Sequence, residues 1–151
     1  MKTLELKDIV GYLPYKLKAT TPYFETPFTI IAVDLLDPMV VDLANDNIKC
    51  KREYIINIKP ILRPMSDLTK PIKVEGYNEE EEFVPILEFC DFEEDKEYAL
   101  FSDLSIYFKT DKGNWVSHYK LSLEDIQLLY QWYFDINGLC DKGLAIPYKN
   151  E

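Results

Sequence analysis

Hydrophobic residues are concentrated in short segments that polar, turn-forming residues separate, and this pattern is typical of β-strands. Residues 53–59 alternate most regularly, with Tyr54, Ile56 and Ile58 on one side of the chain. The segments with this character predict strands at 14–19, 28–35, 39–43, 53–59, 83–90, 104–109 and 115–120.

The clearest predicted hairpin joins the last two of these segments. Its loop, residues 110–114, contains Gly113 at a position where a positive φ is needed. The segments at 28–35 and 39–43 form a second predicted hairpin through Asp37 and Pro38. Such turns join antiparallel strands, so the pattern favours a mostly antiparallel sheet.

A short helix is predicted near the amino terminus, where Thr3 can act as its N-cap. Gly11 and Pro14 end it. The hydrophobic residues that share one face of this helix are Leu6, Ile9, Val10 and Leu13. Further along, Pro60, Pro64 and Pro71 exclude a continuous helix, although a single turn can begin at Ser66 and Asp67.

A longer helix is predicted from Leu123 to about Ile136, with Ser122 as its N-cap and Asp125 in a capping box. Its hydrophobic residues, Trp132 among them, cover an arc of about 200°, whereas a helix on one sheet face needs about 100°. The excess must be covered by the first helix, by residues 139–146 or by another protein chain. Trp132 is therefore a candidate interface residue.

For the whole chain of 151 residues we predict a single α+β domain, residues 1–151. The prediction is a mostly antiparallel, strongly curved sheet with a short N-terminal helix and a longer C-terminal helix packed on it. Closure of the sheet into a barrel stays open at this point.

The net charge of −10 comes from one region. Residues 75–97 contain eleven acidic residues and one basic residue, Lys96, while acids and bases balance in the rest of the chain. Just upstream, residues 49–73 contain seven basic residues and two acidic ones. A net basic surface for phosphates is absent, so direct binding of nucleic acid is disfavoured.

Two acidic loops are candidate binding elements. The first contains four consecutive glutamates and the second a cluster of acids; their residues are Glu79, Glu80, Glu81, Glu82, Asp91, Glu93, Glu94 and Asp95. Consecutive carboxylates repel one another and remain in solvent, so the loops can simply increase solubility. Alternatively, they form an acidic surface that steers a basic partner into contact. Both interpretations stay open.

Residues for catalysis, cofactors or metals are scarce. His118 is the only histidine, it lies in a predicted strand, and nothing near it in the sequence suggests a nucleophile. Cys50, Cys90 and Cys140 lack the spacing of a zinc site or a disulfide framework, which favours free thiols in a reducing compartment. Neither a dinucleotide-binding nor a phosphate-binding glycine motif is present. We therefore predict no cofactor and disfavour an enzyme.

The amino terminus is charged where a signal peptide needs a hydrophobic stretch, and the longest hydrophobic run is 30–33. These features predict a cytoplasmic protein that does not enter a membrane.

Several sequence blocks occur in a recognisable order. They are 12–18 (YLPYKLK), 59–68 (KPILRPMSDL), 83–85 (FVP), 132–135 (WYFD) and 138–145, with Gly138, Gly143 and Ala145. In this order the chain resembles small uncharacterised proteins encoded by phages, prophages and mobile elements of Bacteroides-type bacteria. The resemblance implies a bacterial host cell as its location, and it provides no activity or site residues.

Arg63 is the best single candidate for a contact within these blocks. Pro60 and Pro64 hold the backbone extended around it, so its guanidinium is presented at low entropic cost. It can instead pair with a carboxylate such as that of Asp67 and have a structural role.

Three functions follow from these observations, in decreasing order of preference. The first is a non-enzymatic accessory protein that binds another protein, with the acidic loops acting as a decoy for a basic host surface. The second is a structural or assembly protein that associates with itself through the hydrophobic C-terminal helix. The third is an enzyme that acts on a small polar substrate with His118 and carboxylates.

Overall fold

The computed structural model of the chain describes residues 2–91, 93 and 95–148. Within them the chain forms two compact units: unit 1 from 2–63 and 133–148, and unit 2 from 64–132. Both combine strands with helical turns, which confirms the predicted α+β class. That residues 1–151 form one domain stays a prediction.

Nine strands and two α-helices lie in the described residues. The strands are β1 Lys18–Thr21, β2 Phe24–Val33, β3 Val40–Ala44, β4 Lys51–Tyr54, β5 Lys59–Leu62, β6 Tyr98–Leu100, β7 Ser105–Lys109, β8 Trp115–Lys120 and β9 Ile146–Pro147. The α-helices are α1 Leu6–Ile9 and α2 Leu123–Gln131. Short 3₁₀ helices span Val10–Tyr15, Ile55–Asn57, Met65–Thr69, Asn78–Glu80 and Pro85–Glu88.

Unit 1 is built on a six-stranded sheet in the order β4-β3-β2-β1-β5-β9. All neighbouring strands are antiparallel except β5 and β9, which confirms a mostly antiparallel sheet. The outermost strands, β4 and β9, do not pair with each other in the part of the chain that the structure describes. The sheet is therefore open, and closure into a barrel is excluded.

The first helical segment differs from the prediction at both ends. Glu5 rather than Thr3 precedes it, and the Asp8 carboxylate accepts a hydrogen bond from the Glu5 N–H at 2.9 Å. Pro14 lies within the 3₁₀ continuation, and the segment ends at Lys16, whose φ is 60°. The predicted strand at 14–19 is correspondingly shorter, because β1 begins only at Lys18.

The strand predicted at 53–59 is wrong, because a 3₁₀ turn interrupts it between β4 and β5. Ile55 and Ile58, three residues apart, are both 2% exposed, whereas Ile56 is 54% exposed. The buried Glu53 carboxylate stabilises the turn, since it accepts hydrogen bonds from the Tyr54 N–H and from the Asn57 side-chain amide, both at 3.0 Å. The turn thus replaces the strict alternation that the residue types suggested.

Unit 2 contains a three-stranded antiparallel sheet in the order β6-β7-β8. The β7–β8 hairpin was predicted correctly, including the positive φ of Gly113, which is 85°. Strand β6, which directly follows the acidic region, was not predicted from the sequence. The single turn predicted at Ser66 and Asp67 is confirmed as part of the 3₁₀ helix Met65–Thr69.

The strand predicted at 83–90 is also wrong. Only Phe83 forms a β-bridge, with Ile72, and Pro85–Glu88 is a 3₁₀ helix. Pro85 lies at the start of that helix, where its missing N–H costs nothing and its fixed φ favours the turn.

Helix α2 begins as predicted but ends earlier. The Ser122 hydroxyl accepts from the Asp125 N–H at 3.1 Å, and the Asp125 carboxylate accepts from the Ser122 N–H at 2.9 Å. The helix ends at Gln131, and Tyr133 has a φ of 64°. The prediction of a helix to Ile136 is therefore wrong, and so is the 200° arc that was calculated from it.

The two helical segments are similar in length, in contrast to the prediction that the C-terminal one would be longer. The four residues of α1 and the six of its 3₁₀ continuation make the first segment one residue longer than α2, which has nine. No helix in residues 2–91, 93 and 95–148 is long and hydrophobic enough to cross a membrane.

Candidate functional site

The first acidic loop, residues 78–82, is held at both ends by unit 2. Ile72 and Phe83 exchange two backbone hydrogen bonds, of 2.8 and 2.9 Å. The ring centroids of Tyr77 and Phe83, which flank the loop directly, are 5.0 Å apart. The loop therefore leaves and re-enters the unit through one small anchored region.

The backbone of this loop has an unusual conformation. Asn78, Glu79 and Glu80 have φ values of 53°, 53° and 61°, so three successive residues other than glycine are left-handed. Each such residue costs roughly 1–2 kcal/mol relative to the right-handed form. Hydrogen bonds from the Glu80 N–H to the Tyr77 carbonyl (2.9 Å) and from the Glu81 N–H to the Asn78 carbonyl (3.0 Å) hold the turn. The loop is thus a defined turn, which sequence reasoning did not predict.

The four glutamates of the loop, Glu79 to Glu82, are all exposed. Within the described part of the chain, none of them forms an ion pair, although other acids of unit 2 do. Glu93 pairs with Lys96 at 3.0 Å, and Glu97 pairs with Lys109 at 3.8 Å. The negative charge of the first loop is therefore exposed to solvent and is not neutralised by an ion pair within the described residues.

The basic residues of 49–73 could neutralise the acidic loops if they paired with them. Three of these residues instead form ion pairs with other acids. Lys51 pairs with Glu53 at 3.8 Å. Arg52 pairs with Asp42 at 3.1 Å and with Asp34 at 3.8 Å, and Lys70 pairs with Asp67 at 3.6 Å. These cations are engaged by acids outside the acidic loops.

The second acidic loop lies beside the sheet of unit 2. Asp91, Glu93 and Asp95 are exposed, and Glu94 lies outside the described residues. The Glu93 N–H donates to the Tyr98 hydroxyl at 3.1 Å, and the ammonium of Lys96 lies 4.7 Å from the ring centroid of Phe108. The hydrogen bond with Glu93 raises the pKa of Lys96. This loop is therefore partly compensated, unlike the first.

Trp132 does not lie on a surface. It is completely buried in unit 2, where its ring packs against Tyr77 at 5.3 Å, Phe83 at 5.0 Å and Phe89 at 5.6 Å. Because Tyr77 and Phe83 flank the first acidic loop, Trp132 supports that loop from inside. As an interface residue it would first have to leave the core.

Arg63 is also buried, with 2% of its surface exposed. Its N–H donates to the Tyr133 carbonyl at 2.6 Å, and its carbonyl accepts from the Asp135 N–H at 2.8 Å. Its guanidinium carbon lies 4.4 Å from the ring centroid of Tyr148. These contacts in unit 1 favour the structural interpretation of Arg63.

His118 is exposed on β8, with its ring centroid 5.8 Å from that of Tyr98 and 5.6 Å from that of Phe108. A catalytic role for it stays a prediction. In the part of the chain that the structure describes, no three histidine, cysteine, aspartate or glutamate side chains are grouped so that they could hold a metal ion.

The three cysteines are free thiols. Burial, followed by the nearby Asp135, raises the pKa of Cys140 to about 12. Burial also raises the pKa of Cys90, whereas Cys50 is exposed. A nucleophilic role for Cys140 is disfavoured because a neutral thiol is a poor nucleophile.

The acidic residues could be found from the sequence, whereas the contribution of Tyr77, Phe83 and Asn78 to their position was not predicted. The available signal was the pair of aromatic residues on either side of the charged run, because aromatic side chains bury a large apolar area. Burial and Glu88 raise the pKa of Tyr77, in agreement with such an anchoring position.

Comparisons with known proteins provide no relative: no protein-family model, no curated protein and no solved structure matches the chain.

Proposed function

We propose that this chain is a non-enzymatic binding protein whose first acidic loop, residues 78–82, docks onto a basic surface of a partner protein. The observation that carries the proposal is that Glu79 to Glu82 are all exposed and form no ion pair with another described residue. Long-range attraction from such a cluster increases association rates and selects positively charged partners.

The anchored conformation of the loop adds support. A flexible run of glutamates would lose conformational entropy on binding, whereas a defined turn loses less. The left-handed residues Asn78 to Glu80 carry a backbone cost that a purely solubilising loop has no reason to bear. In a docking role, this unfavourable backbone energy would hold the carboxylates in the arrangement that the partner binds.

A basic surface that normally holds nucleic acid is the partner that suits the charge pattern best. Carboxylates spaced along a loop can occupy sites that accept phosphates, so the chain would act as a decoy. With the resemblance to phage and mobile-element proteins, we propose an accessory protein that acts in the cytoplasm of a bacterial host.

Affinity capture at low salt tests the proposal. Tagged wild type is compared with a variant in which Glu79, Glu80, Glu81 and Glu82 are replaced by lysine. A matched control carries the same four charge reversals at exposed acids elsewhere, namely Glu25, Asp46, Asp111 and Asp141. Both variants change the net charge from −10 to −2, so only the position of the change differs.

The proposal predicts a stoichiometric partner from a Bacteroides-type lysate that wild type and the control retain and the loop variant loses. Mass spectrometry identifies it, and a basic surface on it is expected. A partner that the loop variant also retains, or the absence of any partner of wild type, contradicts the proposal.

Self-association is the second candidate, and a specific observation favours it. Leu35 and Leu36, in the loop between β2 and β3, are 81% and 98% exposed, and the neighbouring Met39 is 56% exposed. The Asp34 carboxylate holds this loop, because it accepts from the Leu36 N–H at 2.9 Å and from the Asp37 N–H at 3.2 Å. Adjacent exposed hydrophobic side chains are the kind of surface through which chains associate when they form a contiguous patch.

Sedimentation velocity separates this candidate from the first. If the loop between β2 and β3 mediates assembly, wild type sediments as an oligomer and a Leu35→Ser, Leu36→Ser variant sediments as a monomer. Monomeric wild type at micromolar concentration eliminates it.

A further inference from the structure

A cleft in unit 1 has no role in the proposed docking function, because the acidic loops belong to unit 2. It lies between the N-terminal segment, the turn after β1 and the 3₁₀ turn before β5, and its volume is about 490 Å³. Small-molecule sites commonly have volumes of roughly 300–1,000 Å³. The cleft is therefore large enough for a ligand of modest size.

The charge of this cleft is opposite to that of the chain. Among the described residues that line it, the only charged ones are Lys2 and Lys59. Both are exposed, and neither forms an ion pair within the described part of the chain. Two ammonium groups in one cleft, neither in an ion pair within the described residues, form a local site that can attract anions on a protein with a net charge of −10.

The other groups in the cleft complement these charges. Thr20 of β1 lies opposite Lys59 of β5 in the sheet register, so a hydroxyl accompanies the ammonium group. Asn57 also lines the cleft, and its side chain is held by the hydrogen bond to Glu53. These are groups that can hydrogen bond to the oxygens of a carboxylate or phosphate.

The inner wall of the cleft is hydrophobic. Leu4 and Ile58 line it but are only 3% and 2% exposed, whereas Ile56, which also lines it, is 54% exposed and leaves apolar surface for a ligand to cover. A fully hydrated inorganic ion would gain nothing from such a wall. A hydrophobic body attached to an anionic head would bury apolar surface there.

We propose that this cleft binds a small organic anion, with its carboxylate or phosphate head between Lys2 and Lys59 and its apolar body against Ile56. The two lysines provide the attraction, and the wall provides selectivity against inorganic ions. The site is built from unit 1 alone, and it does not depend on a partner protein.

Titration followed by ¹H–¹⁵N NMR of the full chain tests this site with three probes that share one apolar body: hexanoate, hexyl phosphate and 1-hexanol. Hexanoate or hexyl phosphate is expected to shift the amides of Thr20, Asn57 and Ile58 and to saturate at about millimolar concentrations. The anion with the lower dissociation constant identifies the preferred head group. The neutral alcohol is expected to bind at least about 10-fold more weakly.

Charge-removing variants then test whether Lys2 and Lys59 are the residues that attract the anion. A Lys2→Gln, Lys59→Gln double variant is expected to weaken anion binding at least about 10-fold, whereas a Lys49→Gln, Lys112→Gln control with the same net charge changes it less than about twofold. Since all four side chains are exposed, the variants are expected to keep the wild-type spectrum. Equal shifts with the alcohol, equal losses in both variants, or no shifts up to about 10 mM of either anion overturn the proposal.

Discussion

Trp132 and the glutamates of residues 79–82 have opposite exposures, yet they belong to one feature of unit 2. The indole lies inside the unit and packs against Tyr77 and Phe83, and these two residues flank the exposed loop. The position of the exposed carboxylates thus depends on how the aromatic rings of Trp132, Tyr77 and Phe83 pack inside the unit. A single buried side chain therefore affects a surface that it does not touch.

Replacement of Trp132 by alanine is expected to reduce the free energy of unfolding by about 3–5 kcal/mol, because it removes a completely buried aromatic side chain and leaves a cavity. Urea unfolding followed by circular dichroism measures the change. Leu123→Ala is the control: Leu123 is 71% exposed, and its replacement is expected to change stability by less than about 0.5 kcal/mol. A loss below about 1 kcal/mol for Trp132→Ala contradicts the burial described above.

Thiol reactivity tests the environment of Cys140. With a pKa of about 12, Cys140 is almost entirely a neutral thiol at pH 8. As long as the pH stays below this pKa, each increase of one pH unit raises the thiolate fraction tenfold. In a variant with the other two cysteines replaced by serine, alkylation by iodoacetamide is expected to be at least about 100-fold slower than that of exposed Cys50 in the corresponding single-cysteine variant. The rate for Cys140 should still rise between pH 8 and pH 10. A plateau below pH 10 would show that burial and Asp135 do not raise its pKa.

At the scale of secondary-structure elements, the start of α2 was predicted correctly and its end was not. The capping box of Ser122 and Asp125 is encoded by residues that lie three apart, so it could be found from the sequence. The end of α2 depends on contacts with residues remote in sequence: the Tyr133 hydroxyl donates to the Tyr15 carbonyl, and the Tyr133 carbonyl accepts from the Arg63 N–H. No local pattern contains that information.

The failed strands have the same explanation. The residue types of 53–59 favour an alternating strand, but hydrogen bonds to the Glu53 carboxylate stabilise a turn there. In residues 83–90 the hydrophobic residues suggested a strand, whereas Pro85, whose fixed φ suits the first turn of a helix, begins a 3₁₀ helix. Where two local signals compete, tertiary packing selects between them.

The first helical segment offers a test of how an element ends. Lys16 is exposed and has left-handed backbone angles, φ 60° and ψ 53°. Lys16→Gly is expected to increase the free energy of unfolding by about 0.5–1 kcal/mol, because glycine adopts this conformation without steric cost. The measurement is the urea concentration at the midpoint of unfolding, which reports the stability change as long as the m value is the same as that of wild type.

The same substitution at Lys7 serves as its control. Lys7 lies in α1 and is exposed, so Lys7→Gly is expected to decrease stability by about 0.5–1 kcal/mol through the low helix propensity of glycine. Opposite signs for the two variants support a left-handed end at Lys16. A decrease for both would show that the segment continues in a right-handed conformation.

At the scale of the whole molecule, the two units share one chain that leaves unit 1 after Arg63 and returns at Tyr133. The prediction of a single domain requires that they unfold together. In urea, the exposure of Cys140 in unit 1 to thiol reagents and the fluorescence of the tryptophans in unit 2 should change at the same midpoint. Two separate midpoints would show that each unit is a domain of its own.

The candidate site could be predicted only in part from the sequence. The exposure of consecutive glutamates follows from their mutual repulsion, and their concentration in residues 75–97 is a matter of counting. The left-handed turn at 78–80 and its aromatic anchors depend on residues that meet only in the folded unit. For the same reason Trp132 was a candidate interface residue although it is buried, since its position was calculated on a helix that ends before it.

The most direct test of the docking function is a binding titration between the captured partner and three proteins: wild type, the variant with lysine at 79–82, and the control with lysine at 25, 46, 111 and 141. Isothermal titration calorimetry at two salt concentrations gives the dissociation constants. We predict that the loop variant binds at least about 100-fold more weakly than wild type while the control stays within about threefold, and that added salt weakens wild type most. Equal weakening of both variants would show that net charge, and not the loop at 79–82, determines binding, and it would contradict the proposed function.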